Sequence, residues 1–377
     1  MYIARPRPIS NGMKLVSGDR VFLMLVLTLA LAGLAIFSSA ALGLLAREAS
    51  SVSKDILLQT GLGFGLGFVA FFIARGLPLS GLKRYAPHLY VATLLLTLLV
   101  FVPGLGFHAG GATRWINLRF TTVQPAEFLK IGFVLALAWW LAPRARQLSN
   151  VKKGLLPFIG FLAVPAAILL AQPNTSTTML LLATGAVMYF VAGAPWRDFG
   201  LLALGVIIAF GIIILLRPYV LERVKTFLNP SANSLSSGYQ IQQSLIAIGS
   251  GGLGGRGFGQ SVEKFNYLPE PDGDSVFAVF AEETGFIGGL ILLVLFVALA
   301  ARGIVIAGRS SDLFGGLIAV GFSFLIIFQA FINICAMLGI IPLTGLPLPF
   351  ISHGGTALAA TLLMCGLILN VAAHRKS

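Results

Sequence analysis

Tyr267-Leu-Pro-Glu-Pro-Asp-Gly-Asp274-Ser-Val-Phe-Ala-Val-Phe-Ala-Glu-Glu283 is the stretch on which the reading of this chain turns. Its first half is polar. Its second half enters an apolar run, Ser275–Ala300, long enough to cross a bilayer core of roughly 30 Å as a helix. Five of the chain's thirteen acidic residues, Glu270, Asp272, Asp274, Glu282 and Glu283, fall in this one place, so chemistry is expected there first. Just upstream, Gly249–Gln260 holds seven glycines in twelve residues. That run lacks the Lys-Ser/Thr ending and the flanking strand of a nucleotide-phosphate loop, and it reads as a hinge.

Outward from this stretch the chain is mostly apolar. Its 377 residues are 57% hydrophobic and 10% charged, with a mean hydropathy of +0.93, where a soluble domain carries about 25% charged residues. The composition predicts an all-α, polytopic membrane protein, a single integral membrane domain over residues 1–377. Ten spans are expected: Val21–Ala46, Ile56–Ala74, His88–Phe107, Ala126–Leu141, Leu155–Ala171, Thr177–Val191, Phe199–Leu216, Ser275–Ala300, Leu313–Ile341 and Gly355–Ala372. No cleavage signature precedes the first, so no removable signal peptide is expected. No internal repeat is visible, which weighs against common transporter architectures. Cys335 and Cys365 lie inside apolar runs without ligand spacing and read as packing residues.

The net charge of +13 fits Lys and Arg gathered in cytoplasmic loops rather than a nucleic-acid partner. Sixteen of the 26 basic residues fall on the side that holds both termini, among them Arg20, Arg84, Arg144, Lys153, Arg302 and Arg309. Both termini are therefore expected in the cytoplasm. The segment 217–274, between helices seven and eight, is then a large extracytoplasmic loop, and His108–Pro125 a shorter one. Tyr239–Gly249 carries apolar residues at helical spacing and predicts a short amphipathic helix on the membrane.

Three constellations carry candidate chemistry. Glu127 and Lys130, three apart, share a helical face at the mouth of a span; they read either as a self-neutralising packing pair or as the wall of an outward polar cavity. Arg114, beside Trp115, reads as a phosphate or sugar ligand or as an interfacial anchor. Pro342–Thr356 cannot continue a helix and is expected to wall the same cavity with Ser352 and His353. Asp272 or Asp274 caps the eighth span, or Asp274 serves as a general base beside an apolar cavity. The clustered carboxylates also suit a divalent cation, Mg or Mn, with Asp272, Asp274 and Glu127 as candidate ligands.

These stretches resemble the SEDS family (shape, elongation, division, sporulation). The resemblance is carried by Arg114-Trp-Ile, Gln124-Pro-Ala-Glu-Phe-Leu-Lys130, Tyr239-Gln, Gln243-Ser-Leu-Ile-Ala-Ile-Gly-Ser-Gly-Gly252, Tyr267-Leu-Pro-Glu-Pro271, Phe277–Glu283 and Pro347–Thr356. Gly259–Glu270 is more similar to the FtsW and SpoVE branch than to RodA. The resemblance implies a peptidoglycan glycosyltransferase of the bacterial cytoplasmic membrane, with its active site on the outer face. Such an enzyme joins lipid-linked glycan to lipid II and works with a class B penicillin-binding protein and other division or elongation membrane proteins. It implies Asp274 as the catalytic residue and functional roles for Glu127 and Lys130; Arg114, Glu282, Ser352 and His353 join these as candidate substrate contacts. Asp272-Gly-Asp-Ser275 departs from the family's His-Thr-Asp-Phe and adds a second carboxylate. Gln172-Pro-Asn-Thr-Ser-Thr177 has lost the family's Asp and Gly, so no acidic role is carried there. A lipid II flippase and a non-catalytic division scaffold are the rival readings.

Overall fold

The computed structural model describes residues 19–45, 59–109, 112–117, 122–216, 218–229, 237–265 and 267–374. Among these, twelve α-helices run in chain order: α1 Arg20–Leu45, α2 Gly67–Gly76, α3 Leu79–Leu98, α4 Pro125–Leu141, α5 Leu155–Ala171, α6 Thr175–Val191, α7 Trp196–Leu216, α8 Pro218–Leu228, α9 Ser237–Ser250, α10 Val276–Gly308, α11 Leu313–Met337 and α12 Gly355–Ala373. All ten expected spans are matched by helices: α2, extended by the π-helical turn Gln59–Leu66, and every other helix except α8 and α9. Among the described residues six helices are long and apolar enough to cross a membrane, and α2, α5 and α6 are shorter apolar helices.

Four boundaries differ from expectation by four residues or more, one of them the end of the eighth span, which runs on to Gly308 rather than stopping at Ala300. The third span starts at Leu79 rather than His88 and ends in a 3-10 turn at Phe101. Lys83 and Arg84 are tolerated because they point outward from its first turns, and Pro103-Gly104 stops it. The polar loop that follows is a three-stranded antiparallel sheet, β1 Gly106–Ala109, β2 Ala112–Asn117 and β3 Thr122–Val123. The ninth span ends at Met337, short of Ile341, and Leu338–Gly354 is non-helical.

The core is the interface of α4, α10, α11 and α12. α4 and α11 are apolar around most of their circumference and buried on most faces, as expected of helices enclosed by other helices. α12 lies tightly on α2, where a Cβ added at Gly366 would stand 2.4 Å from the Phe71 carbonyl; small residues let helix backbones approach this closely. The amide of Asn370 on α12 donates to the Ala74 and Arg75 carbonyls at 2.9 and 3.0 Å, satisfying groups left open at the end of α2. Asp19 accepts from Phe22 N–H at 3.0 Å and pairs with Arg302 at 2.7 Å, which ties the start of α1 to the end of α10.

The described parts of the expected loop 217–274, which leave out residues 217, 230–236 and 266, are built of ordered elements. α8 and α9 are both amphipathic, and α9 includes the helix expected from Tyr239 onward. The glycine-rich run is not a hinge. α10 is broken at Gly285, whose φ of 68° and ψ of −168° no helix contains and which favour glycine. The run fills the break. Arg256 and Gly257 N–H groups donate to the Glu282 and Glu283 carbonyls at 3.0 and 2.9 Å, and Phe286 and Ile287 N–H groups donate to Gly252 and Leu253 carbonyls at 2.9 and 3.2 Å. Backbone groups freed by the break are thereby satisfied inside protein, the condition for irregular backbone in an apolar setting. A Cβ at Gly255 would meet the Glu283 carbonyl oxygen at 2.1 Å, so the glycine is required for contact rather than flexibility.

Candidate active site

Asp274 sits two residues before α10, on the loop that Glu270 folds back by accepting Gly273 and Ser275 N–H groups at 3.1 and 3.2 Å. Two amides from two other helices hold it. Asn333 of α11 donates to the Asp274 carbonyl and the Leu346 carbonyl, both at 2.8 Å. Gln240 of α9 donates to the Asp274 carboxylate at 3.0 Å and to Ser275 Oγ at 2.9 Å. Burial, then the Glu270 carboxylate, push the Asp274 carboxyl up to about 6; the Gln240 hydrogen bond and the Arg223 guanidinium oppose the rise. A carboxyl near neutrality in a half-buried position is suited to accepting a proton. It does not cap α10, because Ser275 occupies the N-cap.

Asp272 and His353 meet on the next face. The His353 N–H donates to the Asp272 carbonyl at 2.6 Å, its Nδ1 lies 3.6 Å from the Asp272 carboxylate, and its ring stacks on Phe37 of α1 at 5.9 Å. Glu270 is raised by burial first and by Asp272 second, with His353 opposing. The cavity wall expected of residues 342–356 thus reaches the acidic loop through His353, whereas Ser352 turns inward: its hydroxyl accepts from Leu348 N–H at 2.7 Å within the turn.

Glu127 and Lys130 are fully buried and pair at 2.7 Å. Lys130 also donates to Gln329 of α11 at 2.9 Å, and Gln329 donates onward to the Pro347 carbonyl at 2.8 Å. Gln329 and Asn333 are four apart on one face of α11, so that face joins the Glu127–Lys130 pair to the Asp274 loop through residues 346–347. Arg114 lies on β2. Its guanidinium donates to the Pro173 carbonyl, beside a cleft of about 260 Å³ lined in part by Thr113, Gln172 and Phe101. In the altered Gln172–Thr177 segment, Asn174 accepts from Thr177 N–H at 3.4 Å and caps α6.

Glu282 corrects an expectation. It is fully enclosed, and its oxygens accept from Ser261 Oγ at 2.5 Å and Val262 N–H at 3.1 Å, with Arg256 at 3.4 Å. It anchors the glycine-rich segment rather than contacting substrate. Nor do the candidate cation ligands converge: Asp272 faces His353, Asp274 faces Gln240 and Glu127 faces Lys130. Among the described residues no three His, Cys, Asp or Glu groups gather to hold an ion. The donor set does not fit a cation, and no chemical step below depends on one. An apolar groove of about 400 Å³ between α6, α10 and α11 is lined by Ala300, Ile304 and Phe324, at the far half of α10 from Asp274.

Gln240, Arg223, Gln329 and Asn333 carried no assigned role in the sequence. Two amides four apart inside an apolar helix were the readable signal, because buried polar groups in a span need partners.

Residues 19–377 match the family model for FtsW, RodA and SpoVE, described as a cell cycle protein. The chain belongs to the FtsW/RodA/SpoVE family. Stage V sporulation protein E of Bacillus subtilis (strain 168) is 39% identical over 312 residues, 83% of this chain and 85% of that protein. A protein named "Probable peptidoglycan glycosyltransferase FtsW" from Alcanivorax borkumensis is 37% identical over 364 residues, 94% of this chain and 93% of its own length. Among solved structures, a chain of a peptidoglycan synthase complex that coordinates polymerization and crosslinking superposes with a TM-score of 0.78 at 32% identity, covering 96% of this chain and 99% of the other. The rod shape determining protein RodA of Thermus thermophilus superposes with a TM-score of 0.69 at 30% identity over the same shares. The fold is that of a multi-pass membrane protein.

Proposed function

We propose that this chain is a peptidoglycan glycosyltransferase that extends lipid-linked glycan with lipid II on the outer face of the bacterial cytoplasmic membrane, both termini lying in the cytoplasm. The observation that carries the reading is Asp274: a half-buried carboxylate at the mouth of a membrane helix, raised to about 6 and held by amides from α9 and α11. Relatives named as peptidoglycan glycosyltransferases cover nearly the whole chain, and a synthase complex supplies a similar fold. The Lys/Arg distribution supports the orientation.

The GlcNAc 4-hydroxyl of lipid II attacks the anomeric carbon of the MurNAc that ends the growing strand. Asp274 accepts the hydroxyl proton as the new C–O bond forms. The bond to the diphosphate breaks, and undecaprenyl diphosphate leaves with the electron pair. An α-linked donor gives a β-linked product, so one base suffices and no covalent nucleophile is needed. The departing diphosphate requires positive charge near the site. Arg223, whose field already reaches Asp274, and Arg114, beside its half-polar cleft, are the candidate sources. Lys130 is committed to Glu127 and Gln329, so it orders the site's wall. A class B penicillin-binding protein is the proposed partner for cross-linking, alongside other division or elongation membrane proteins.

Purified full-length protein given lipid II should yield glycan strands on a gel. Lipid II movement across vesicles without polymer would favour a flippase, and neither activity would favour a scaffold.

A further inference from the structure

We infer that Gln240 is a positioning residue for glycosyl transfer: its amide fixes the Asp274 carboxylate so that one oxygen faces the incoming hydroxyl. The inference rests on the reading of Asp274 as the base.

The geometry is specific. A carboxamide nitrogen carries two hydrogens, and Gln240 Nε2 reaches two acceptors in adjacent residues, Asp274 Oδ1 at 3.0 Å and Ser275 Oγ at 2.9 Å. One amide therefore locks the aspartate side chain to the N-cap residue of α10. The second carboxylate oxygen, Oδ2, points toward Gly345, where an added Cβ would lie 3.9 Å away. The main chain of Asp274 is held separately by Asn333. Backbone and side chain are thus fixed from two helices, and the division of labour leaves Oδ2 to take a proton.

The local sequence explains how Gln240 comes to be there. On α9, Gln240, Ser244 and Ala247 follow helical spacing. Ser244 and Ala247 are fully buried, and the Ser244 hydroxyl reaches Met337 Sδ at 3.5 Å. Gln240 borders the stripe Ile241, Ser244 and Ala247 that docks α9 onto the bundle, so its amide is delivered by a packed helix rather than by a loop. The charged groups facing Asp274 are Glu270 from its own loop and Arg223 from α8, with Asp272 and His353 acting on Glu270.

The test uses the full-length protein with its cross-linking partner and lipid II as substrate. Gln240→Leu keeps the size and removes the donor; Gln240→Glu keeps the length and sets an acceptor against the carboxylate. Each preparation is normalised to monodisperse, folded enzyme by its melting temperature and elution profile. A lost hydrogen bond to a charged group predicts a fall in kcat of roughly ten- to a hundredfold with KM nearly unchanged. The acid limb of the kcat profile should also move to higher pH, further for Glu than for Leu, because the ionised base has lost its donor. A wild-type kcat, or a loss with an unmoved acid limb, overturns the positioning role. Asp274→Asn separates the two layers: if it stays active, the base assignment fails; if it is inactive while Gln240→Leu leaves the profile unmoved, only the role of Gln240 fails.

Discussion

Glu283 and Lys264 meet at 2.7 Å with both side chains essentially out of contact with solvent, at the level where α10 is broken. Ser39 of α1 donates to both oxygens of the same carboxylate at 2.6 and 2.7 Å, and Lys264 also reaches the Gly259 carbonyl at 2.9 Å. One ion pair thus joins α1, α10 and the glycine-rich segment. Removing one partner strands a buried charge, which costs about 3–5 kcal/mol. Lys264→Met should therefore lower the melting temperature in detergent sharply. The double variant Lys264→Met/Glu283→Gln should recover much of that loss, and equal destabilisation by single and double variants would show that the pair does not carry the junction.

The break in α10 gives a steric prediction. Gly255 has φ 79° and faces the Glu283 carbonyl, and Gly285 has φ 68° and faces the Gly255 nitrogen. Alanine at either position meets both a disfavoured backbone region and a contact well inside van der Waals range. Gly255→Ala and Gly285→Ala should reduce the yield of folded, membrane-inserted protein. Alanine at Gly254, which has open space around it, should be tolerated. Yield in membranes and melting temperature provide the readout.

Glu127 and Lys130 predict a second separation of roles. Because Lys130 links its partner to Gln329 and thence to Pro347, Lys130→Met should destabilise by about 3–5 kcal/mol and reduce activity together. Lys130→Met/Glu127→Leu should regain stability. Activity that returns with stability marks the pair as part of the wall; activity that stays lost marks a direct role with substrate.

The pH dependence has a definite sign. A general base works only when ionised, so activity should be present above about 6 and fall as the pH drops below it. Glu270 is the like charge that raises Asp274. Glu270→Gln removes that repulsion and should move the acid limb to lower pH, the opposite of the shift expected for Gln240→Leu. Initial rates of lipid II consumption across pH 5–8 (roughly the window in which such groups titrate) would register both.

The spans were legible because helices in lipid announce themselves by composition, and Leu155–Ala171 was read to the residue. What composition could not show was where a span is interrupted. The run Ser275–Ala300 reads as one span through Gly285, and only the contact with Gly255 reveals that the helix breaks. The same contact turned an apparent hinge into a filling segment. Glu282 reads as a candidate substrate contact in the sequence, yet its oxygens are taken up by Ser261 and Val262 beside the glycine-rich segment. The sheet at 106–123 was missed because its strands are two to six residues long and too short for alternation to register. Asp274 itself was readable as a carboxylate entering an apolar helix. Its pairing with Gln240 and Asn333 was not, since they lie 34 and 59 residues away.

The most direct measurement compares wild-type protein with Asp274→Asn, each purified at full length with equal membrane insertion and melting temperature, for strand formation from lipid II. Asparagine keeps the size and removes the base. Polymer from the wild type and none from the variant is the predicted result. Polymerisation by Asp274→Asn at a rate close to wild type would contradict it, and would move the search for the base to the neighbouring Asp272–His353 pair.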